Sequence, residues 1–149
     1  MDNTRPLDIP GARGKLEVEG VLGLTYKIRI DGEVVKRKGG RWAIPLRNGK
    51  IAKLTSNGIL PGFQTLYLDG EPIFKMGAHV STAAKVTMFT PLILLPFVPI
   101  GSMIAVLMIF TNILLVKNTQ IPAFLRTVYP AIVAVLMAAL LTWMFGLPW

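Results

Sequence analysis

Two long apolar runs occupy the last third of the chain. They extend over residues 86–116 and 127–146, and the polar stretch KNTQIPAFLR separates them. A helix that crosses a membrane needs roughly 20 apolar residues, each adding about 1.5 Å of length. The pattern therefore predicts a transmembrane helical hairpin, with helices over 92–116 and 127–147 and a short loop over 117–126.

The first apolar run starts irregularly, because it contains prolines at 91, 96 and 99. Proline breaks or bends a helix, and the residue before it disfavours helical geometry. Two arrangements follow: one kinked helix from about Leu92 to Val116, or a surface segment to Val98 and a span from Pro99. Residues 77–91 are predicted to be a linker or interfacial segment, in which Ser81 caps a short helix.

Residues 15–76 show a different pattern, in which apolar and polar positions alternate over short stretches. LTYKIRI, which starts at Leu24, is typical of a strand with one buried and one exposed face. Asp-Gly and Asn-Gly pairs punctuate the stretches, and such pairs favour tight hairpin turns. We therefore predict a small all-β antiparallel sandwich or barrel of six or seven strands. Pro45 would lie in an edge strand or at a bulge, and residues 1–14 would form a flexible lead.

One short pattern occurs twice in the β-rich part. Ile30-Asp31-Gly32-Glu33 and Leu68-Asp69-Gly70-Glu71 fall at the same point of two predicted hairpins. A duplicated hairpin would explain this, and so would a favourable turn used twice. We prefer the second interpretation.

Positive charge is concentrated before the apolar runs. Of the 16 Lys and Arg residues, 14 precede residue 86, as do all eight acidic residues. Such a basic domain beside a membrane suggests contact with anionic lipid headgroups or an acidic partner. The aromatic residues fall on the apolar alternation, so stacking on nucleic acid is not expected. The residues predicted to contact an anionic surface are Lys27, Arg29, Lys36, Arg37, Lys38, Lys50 and Lys53.

The residue inventory predicts no catalytic, cofactor-binding or metal-binding site. The chain has no cysteine and a single histidine, His79, which excludes a multi-histidine metal site and a separate Ser-His pair. Two of the acidic pairs lie in predicted turns, where Asp is favoured for backbone reasons. Neither phosphate-binding glycine motif occurs. We therefore expect a protein that is not an enzyme.

The apolar runs carry signals for helix association. Small residues four apart let helices approach closely, and an amide inside a span requires a hydrogen-bond partner. Both signals are compatible with contact to a partner or with packing of the hairpin on itself. The residues concerned are Gly101, Ala105, Asn112, Ala131, Ala134 and Ala138.

The absence of a signal peptide predicts that the β domain stays in the cytoplasm. With two spans, both termini would be cytoplasmic and the loop over 117–126 would lie outside. Lys117 and Arg126 in that loop weaken the positive-inside contrast. Tyr129, Trp143 and Trp149 are predicted to anchor the second span at the two interfaces.

These features favour a non-catalytic accessory or scaffold subunit of a larger integral membrane complex. Its partners would be integral membrane proteins or further copies of the chain, together with anionic lipid headgroups. A homo-oligomeric pore lined by Ser102, Thr111 and Asn112 is an alternative. A membrane-tethered sensor module that binds a ligand or lipid headgroup is another.

Overall fold

The computed structural model describes residues 3–145. The chain divides between Ala78 and His79 into two compact units, which we call the β unit and the helical unit. The β unit contains two four-stranded antiparallel sheets, with strand orders β1-β2-β3-β4 and β5-β6-β7-β8. The strands are β1 (Thr4–Pro6), β2 (Leu16–Glu19), β3 (Lys27–Ile30), β4 (Glu33–Val34), β5 (Arg41–Pro45), β6 (Ile51–Asn57), β7 (Thr65–Leu68) and β8 (Glu71–Lys75).

Alternation along the strands builds one core for both sheets. Val18 and Ile28 from the first sheet and Ile44, Leu54 and Leu66 from the second are fully buried in a single hydrophobic cluster. The predicted all-β antiparallel architecture is thus present, with eight strands in place of six or seven. Pro45 lies on β5, an edge strand, where its missing N–H costs no hydrogen bond within the sheet.

Residues 3–14 are not the flexible lead that was predicted for residues 1–14. β1 pairs with β2 through Thr4↔Glu19, Arg5↔Val18 and Pro6↔Glu17. Leu7 and Ile9, which follow β1, are buried in the core. The sequence did not predict β1, because this stretch contains two prolines and charges of both signs. A short edge strand is also anchored by few apolar residues, which show no clear period.

The two sheets repeat one another with a shift of 38 residues. Leu16 pairs with Ile30 in the first sheet, and Leu54 pairs with Leu68 in the second. Asp31 and Asp69 have φ of 49° and 48°, and their carboxylates accept hydrogen bonds from the backbone N–H of Lys15 and Lys53, at 2.7 and 2.9 Å. A duplicated hairpin therefore describes the structure better than one turn used twice.

The helical unit contains α1 (Thr82–Thr87), a 3-10 helix (Thr90–Leu94), α2 (Ile100–Lys117) and α3 (Ala123–Phe145). The Ser81 hydroxyl accepts a hydrogen bond from the N–H of Ala84 at 3.1 Å, which confirms the predicted cap. α2 and α3 are both long and apolar enough to cross a membrane, at about 27 and 34 Å.

The bounds of the two long helices differ from the predicted ranges 92–116 and 127–147. α2 begins at Ile100, after the third proline, as in the second arrangement considered above. α3 begins at Ala123, because Pro122 is well suited to precede a helix and its carbonyl accepts from the N–H of Arg126 at 3.1 Å. The connection is therefore five residues long, 118–122. Residues 146–147 lie outside the described residues.

Candidate anion-binding site

The chain reverses tightly between β4 and β5, over two glycines. Gly39 and Gly40 both have positive φ, at 53° and 79°. Lys38 and Arg41 flank them and exchange backbone hydrogen bonds of 2.9 and 3.1 Å. The reversal therefore places two cationic residues at adjacent positions. β5 then pairs with β6, so that Ala43 lies opposite Lys53.

A surface groove of about 520 Å³ lies at this reversal. Four of its lining residues are cationic, and none of the described residues that line it is acidic. We call it the basic groove. Its lining residues are Val35, Lys36, Lys38, Arg41, Trp42, Ala43, Ile51 and Lys53.

The lining combines charge with apolar surface. Of the apolar lining residues, Ile51 is 65% exposed and Trp42 is 6% exposed. Clustered cations in a groove whose described lining has no carboxylate create a positive potential that attracts anions, and salt screens it over about 8 Å at physiological ionic strength. The groove is thus suited to an anionic group that carries apolar substituents.

The predicted basic residues are divided between two depressions and positions outside both. Lys36, Lys38 and Lys53 line the basic groove, whereas Lys27, Lys36 and Arg37 line a neighbouring depression with Tyr26 and Trp42. Alternation along single strands could not reveal this division, because the residues come from both sheets and from the segment that connects them.

Three of the predicted basic residues have other roles or positions. Arg29 forms an ion pair with Glu19 at 2.7 Å. The guanidinium of Arg37 lies over the Trp42 ring, 4.7 Å from its centroid, and donates to the Ser56 hydroxyl at 3.4 Å. Lys50 is exposed and is not part of the lining of the basic groove.

Sequence reasoning missed Arg41, which opens β5 at the rim of the groove. The signal was the spacing Lys38-Gly39-Gly40-Arg41, since a two-glycine reversal brings the flanking positions together. No protein-family model, curated protein or solved structure matches this chain. The basic groove must therefore be interpreted from its own chemistry.

In the helical unit, most of the residues predicted to mediate helix association are buried by other parts of the same chain. Gly101, Ala105, Ala134 and Ala138 are buried, and Ala131 is half-buried. Ala105 and Ala138 share one hydrophobic cluster with Leu94 and Phe97, which precede α2. A Cβ on Gly101 would collide with the carbonyl oxygen of Leu94 and lie 2.7 Å from the Cβ of Phe97. The small residues thus make room for the segment before α2.

Asn112 has a partner in the same segment. Its side-chain amide is buried and donates to the backbone carbonyl of Met88 at 3.1 Å. The Thr111 hydroxyl donates to carbonyls of its own helix, those of Leu107 and Met108. Thr111 and Asn112 therefore both have hydrogen-bond partners within the helical unit.

The predicted interfacial anchors face outward near opposite ends of α3. Tyr129 is 50% exposed and Trp143 is 83% exposed, and their Cα atoms are about 21 Å apart along the helix. Trp149 lies outside the described residues.

The single histidine and several carboxylates have structural partners. Nε2 of His79 lies 3.0 Å from the carbonyl oxygen of Lys117, and since a carbonyl only accepts, Nε2 carries the hydrogen in this contact. Glu17 is paired with Lys15 at 2.7 Å, and this carboxylate raises the pKa of the Lys15 ammonium. Within residues 3–145, no cluster of three or more His, Asp or Glu side chains could hold a metal ion.

Proposed function

We propose that this protein is a non-catalytic accessory subunit of an integral membrane complex. The helical unit anchors the protein in the bilayer, and the β unit recognises an acidic segment of the partner through the basic groove. The observation that carries the proposal is the set of four cations, Lys36, Lys38, Arg41 and Lys53, around one groove without an acidic lining residue.

The packing of the helical unit supports the proposal that this unit anchors the protein while the β unit binds the partner. Gly101, Ala105, Ala138 and Asn112 pack with the chain's own segment before α2. The outward residues of α2 and α3 are mainly large and apolar, such as Leu107, Leu136 and Leu140. Such surfaces suit acyl chains, so polar recognition is expected in the β unit. The same contacts weaken the pore alternative, because Asn112 is buried and not available to line a passage.

The engagement of the candidate acid–base groups supports a non-catalytic role. Asp31 and Asp69 hold backbone N–H groups, and Glu17 and Glu19 are paired with basic residues. His79 contacts a helix carbonyl. General acid–base catalysis needs groups that converge on the reacting atoms, whereas each of these groups is engaged in a separate contact.

The test is affinity purification of the tagged protein from native membranes at native expression. We expect a membrane protein partner to co-purify with the wild type and to be lost with the double variant Lys38→Glu/Arg41→Glu. Each exposed cation near an anionic surface contributes about 1 kcal/mol, so reversing two of them weakens binding by a factor on the order of 10² or more.

The matched control is Arg5→Glu/Lys75→Glu, which makes the same change in net charge at exposed positions of β1 and β8, two strands that do not line the groove. It should retain the partner. Equal loss with both double variants would show that only net charge matters and would overturn the groove as the recognition site. A wild-type protein that purifies alone would overturn the accessory role.

A second candidate function is a membrane-tethered sensor of anionic headgroups. It is favoured by the position of Lys27 and Arg37 in a second depression, since charge spread over a surface suits a membrane better than one peptide. Reconstitution of the full chain in nanodiscs separates the two. Protection of the groove from lysine-reactive reagents by anionic lipid alone, compared with zwitterionic lipid, would favour the sensor.

A further inference from the structure

The segment before α2 folds back along the whole length of that helix. We call residues 79–97 the arm. At one end, His79 contacts the carbonyl of Lys117 at 3.0 Å. Midway, the carbonyl of Met88 accepts from Asn112 at 3.1 Å. At the other end, Leu94 and Phe97 pack against Gly101, where an added Cβ would collide with the carbonyl oxygen of Leu94 and lie 2.7 Å from the Cβ of Phe97.

These three contacts fix the direction and length of the arm. Each step forward along it meets a residue further back on α2, so the arm and the helix are antiparallel. The arm is held at both ends of a helical stretch that runs from Gly101 to Lys117. Sixteen residue steps of helix correspond to about 24 Å, most of the roughly 30 Å thickness of a hydrocarbon core.

The backbone of the arm is compatible with a lipid environment. Polar backbone groups inside a bilayer must be satisfied by the protein. α1 and the 3-10 helix provide these bonds over much of the arm, and the Thr90 hydroxyl contacts the carbonyl of Pro130 in α3 at 3.1 Å. Pro91, Pro96 and Pro99 contribute no N–H at all in the stretch where the helix is interrupted.

The outer side of the arm is apolar. Val86, Leu92, Ile93 and Leu95 are between 43% and 65% exposed, and Val98, directly after the arm, is 72% exposed. A surface segment lying in water would not present this row of large apolar side chains on the side away from the helices. Acyl chains are the occupant that matches it, because the same belt continues over the exposed faces of α2 and α3.

Charge in the helical unit is confined to one half of it. Its only charged residues are Lys85, Lys117 and Arg126. Lys85 lies in the first half of the arm, three residues before Met88, Lys117 ends α2, and Arg126 lies in the first turn of α3, where it donates to the carbonyl of Val116 at 3.3 Å. Residues 86–116 and 127–149 contain no charged side chain. Such a one-sided distribution marks the cytoplasmic end of a membrane bundle.

We propose that the chain crosses the membrane three times, with the arm as the first crossing. The connection over residues 118–122 then lies on the same side as the start of the arm, in the cytoplasm. The reversal at residues 98–100 and the end of α3 lie on the opposite side. This topology differs from the predicted two-span topology. There, Lys117 and Arg126 lay outside and weakened the positive-inside contrast, whereas here they lie on the cytoplasmic side and strengthen it. It rests on the membrane anchoring proposed above.

The test is labelling of single cysteines with a membrane-impermeant maleimide, for which this cysteine-free chain is suited without further changes. The positions are Ile59→Cys in the β unit, Val98→Cys at the reversal and Gln120→Cys in the connection. Ile59 is 99% and Val98 is 72% exposed, so the substitutions remove little buried surface. Labelling is compared on intact cells or right-side-out vesicles and on inverted vesicles of the full chain.

The three-crossing topology requires that Gln120→Cys is labelled from the same side as Ile59→Cys and that Val98→Cys is labelled from the other side. The two-crossing topology gives the reverse result for both positions and would overturn the proposal while leaving the accessory function intact. Labelling of all three from one side would overturn both this topology and membrane anchoring. Detergent-permeabilised samples serve as the control, since every cysteine should react there.

Discussion

The two equivalent turns of the β unit, at Asp31 and Asp69, allow one stability prediction to be tested at two sites. Asp69 has φ of 48°, and its carboxylate accepts from the backbone N–H of Lys53 at 2.9 Å. Replacement by Ala removes the acceptor and leaves a residue that adopts this backbone conformation reluctantly. A hydrogen bond to a charged group is worth about 1.5 kcal/mol at the lower, exposed end of its range. Ala is also less favourable than Asp in the left-handed region.

We therefore expect Asp69→Ala to lower the free energy of unfolding of the β unit by about 2 kcal/mol. For a unit of this size, that corresponds to a decrease in Tm of about 8–16 °C. Asp69→Asn keeps an acceptor and tolerates positive φ, so it should cost less than about 0.5 kcal/mol. Asp69→Gly keeps the backbone freedom but loses the acceptor, so it should fall between them.

The assay is thermal unfolding followed by the fluorescence of Trp42, which is buried in the β unit. Trp143→Phe and Trp149→Phe in the background leave Trp42 as the single tryptophan. The same series at Asp31, whose acceptor distance to Lys15 is 2.7 Å, should reproduce the order Asn, Gly, Ala. If Asn is as damaging as Ala at both positions, the reasoning from acceptor and backbone is refuted.

Three further predictions concern single contacts. Gly101→Ala should lower the free energy of unfolding of the helical unit in SDS by about 1–3 kcal/mol, because the added methyl group would collide with the backbone of the arm. Ala139→Leu, at an exposed position of α3, is the control and should leave this free energy unchanged. Asn112→Leu should cost about 0.6–1.7 kcal/mol in the same assay, since it removes the bond to the arm, and no loss would show that this bond is dispensable. Arg37→Ala should cost about 0.5–1 kcal/mol and change the emission of Trp42, and Arg37→Lys should retain part of both.

Local signals in the sequence were sufficient for much of the β unit. Period-two alternation identified the inward side chains, such as Ile28 and Ile44, because burial on one side of a sheet forces that period. Asp-Gly pairs located the turns, because few residues tolerate the required positive φ. The edge strand β1 had neither signal, since only its pairing with β2 holds it in place.

The repeat of the β unit required the structure to be recognised. Beyond the Asp-Gly-Glu turns, the identical residues at the 38-residue shift are scattered along the chain, such as Lys15 and Lys53 or Leu16 and Leu54. Strand register is set by backbone hydrogen bonds and does not depend on most side-chain identities. The equal registers around Asp31 and Asp69 therefore reveal a relationship that the residues alone left ambiguous.

The candidate groove was only partly predictable. The sequence showed an excess of cations before the apolar runs, but charge on a chain does not specify which side chains converge. Lys36 and Lys38 lie on the segment between the sheets, and Lys53 lies on β6. Only the pairing of β5 with β6 and the reversal at Gly39-Gly40 place them around one groove with Arg41.

The sequence by itself determined that the last third of the chain forms long apolar helices, because length and hydropathy alone specify what can cross a bilayer. It also contained the small residues and Asn112 at the positions where close packing occurs. Only the tertiary structure decided what packs there, since a helix surface does not encode its partner. The arm, interrupted by three prolines and too short to register as a span, occupies the small-residue surface of α2. The apolar hairpin is thereby a bundle of three antiparallel segments, held together by contacts between residues far apart in the chain.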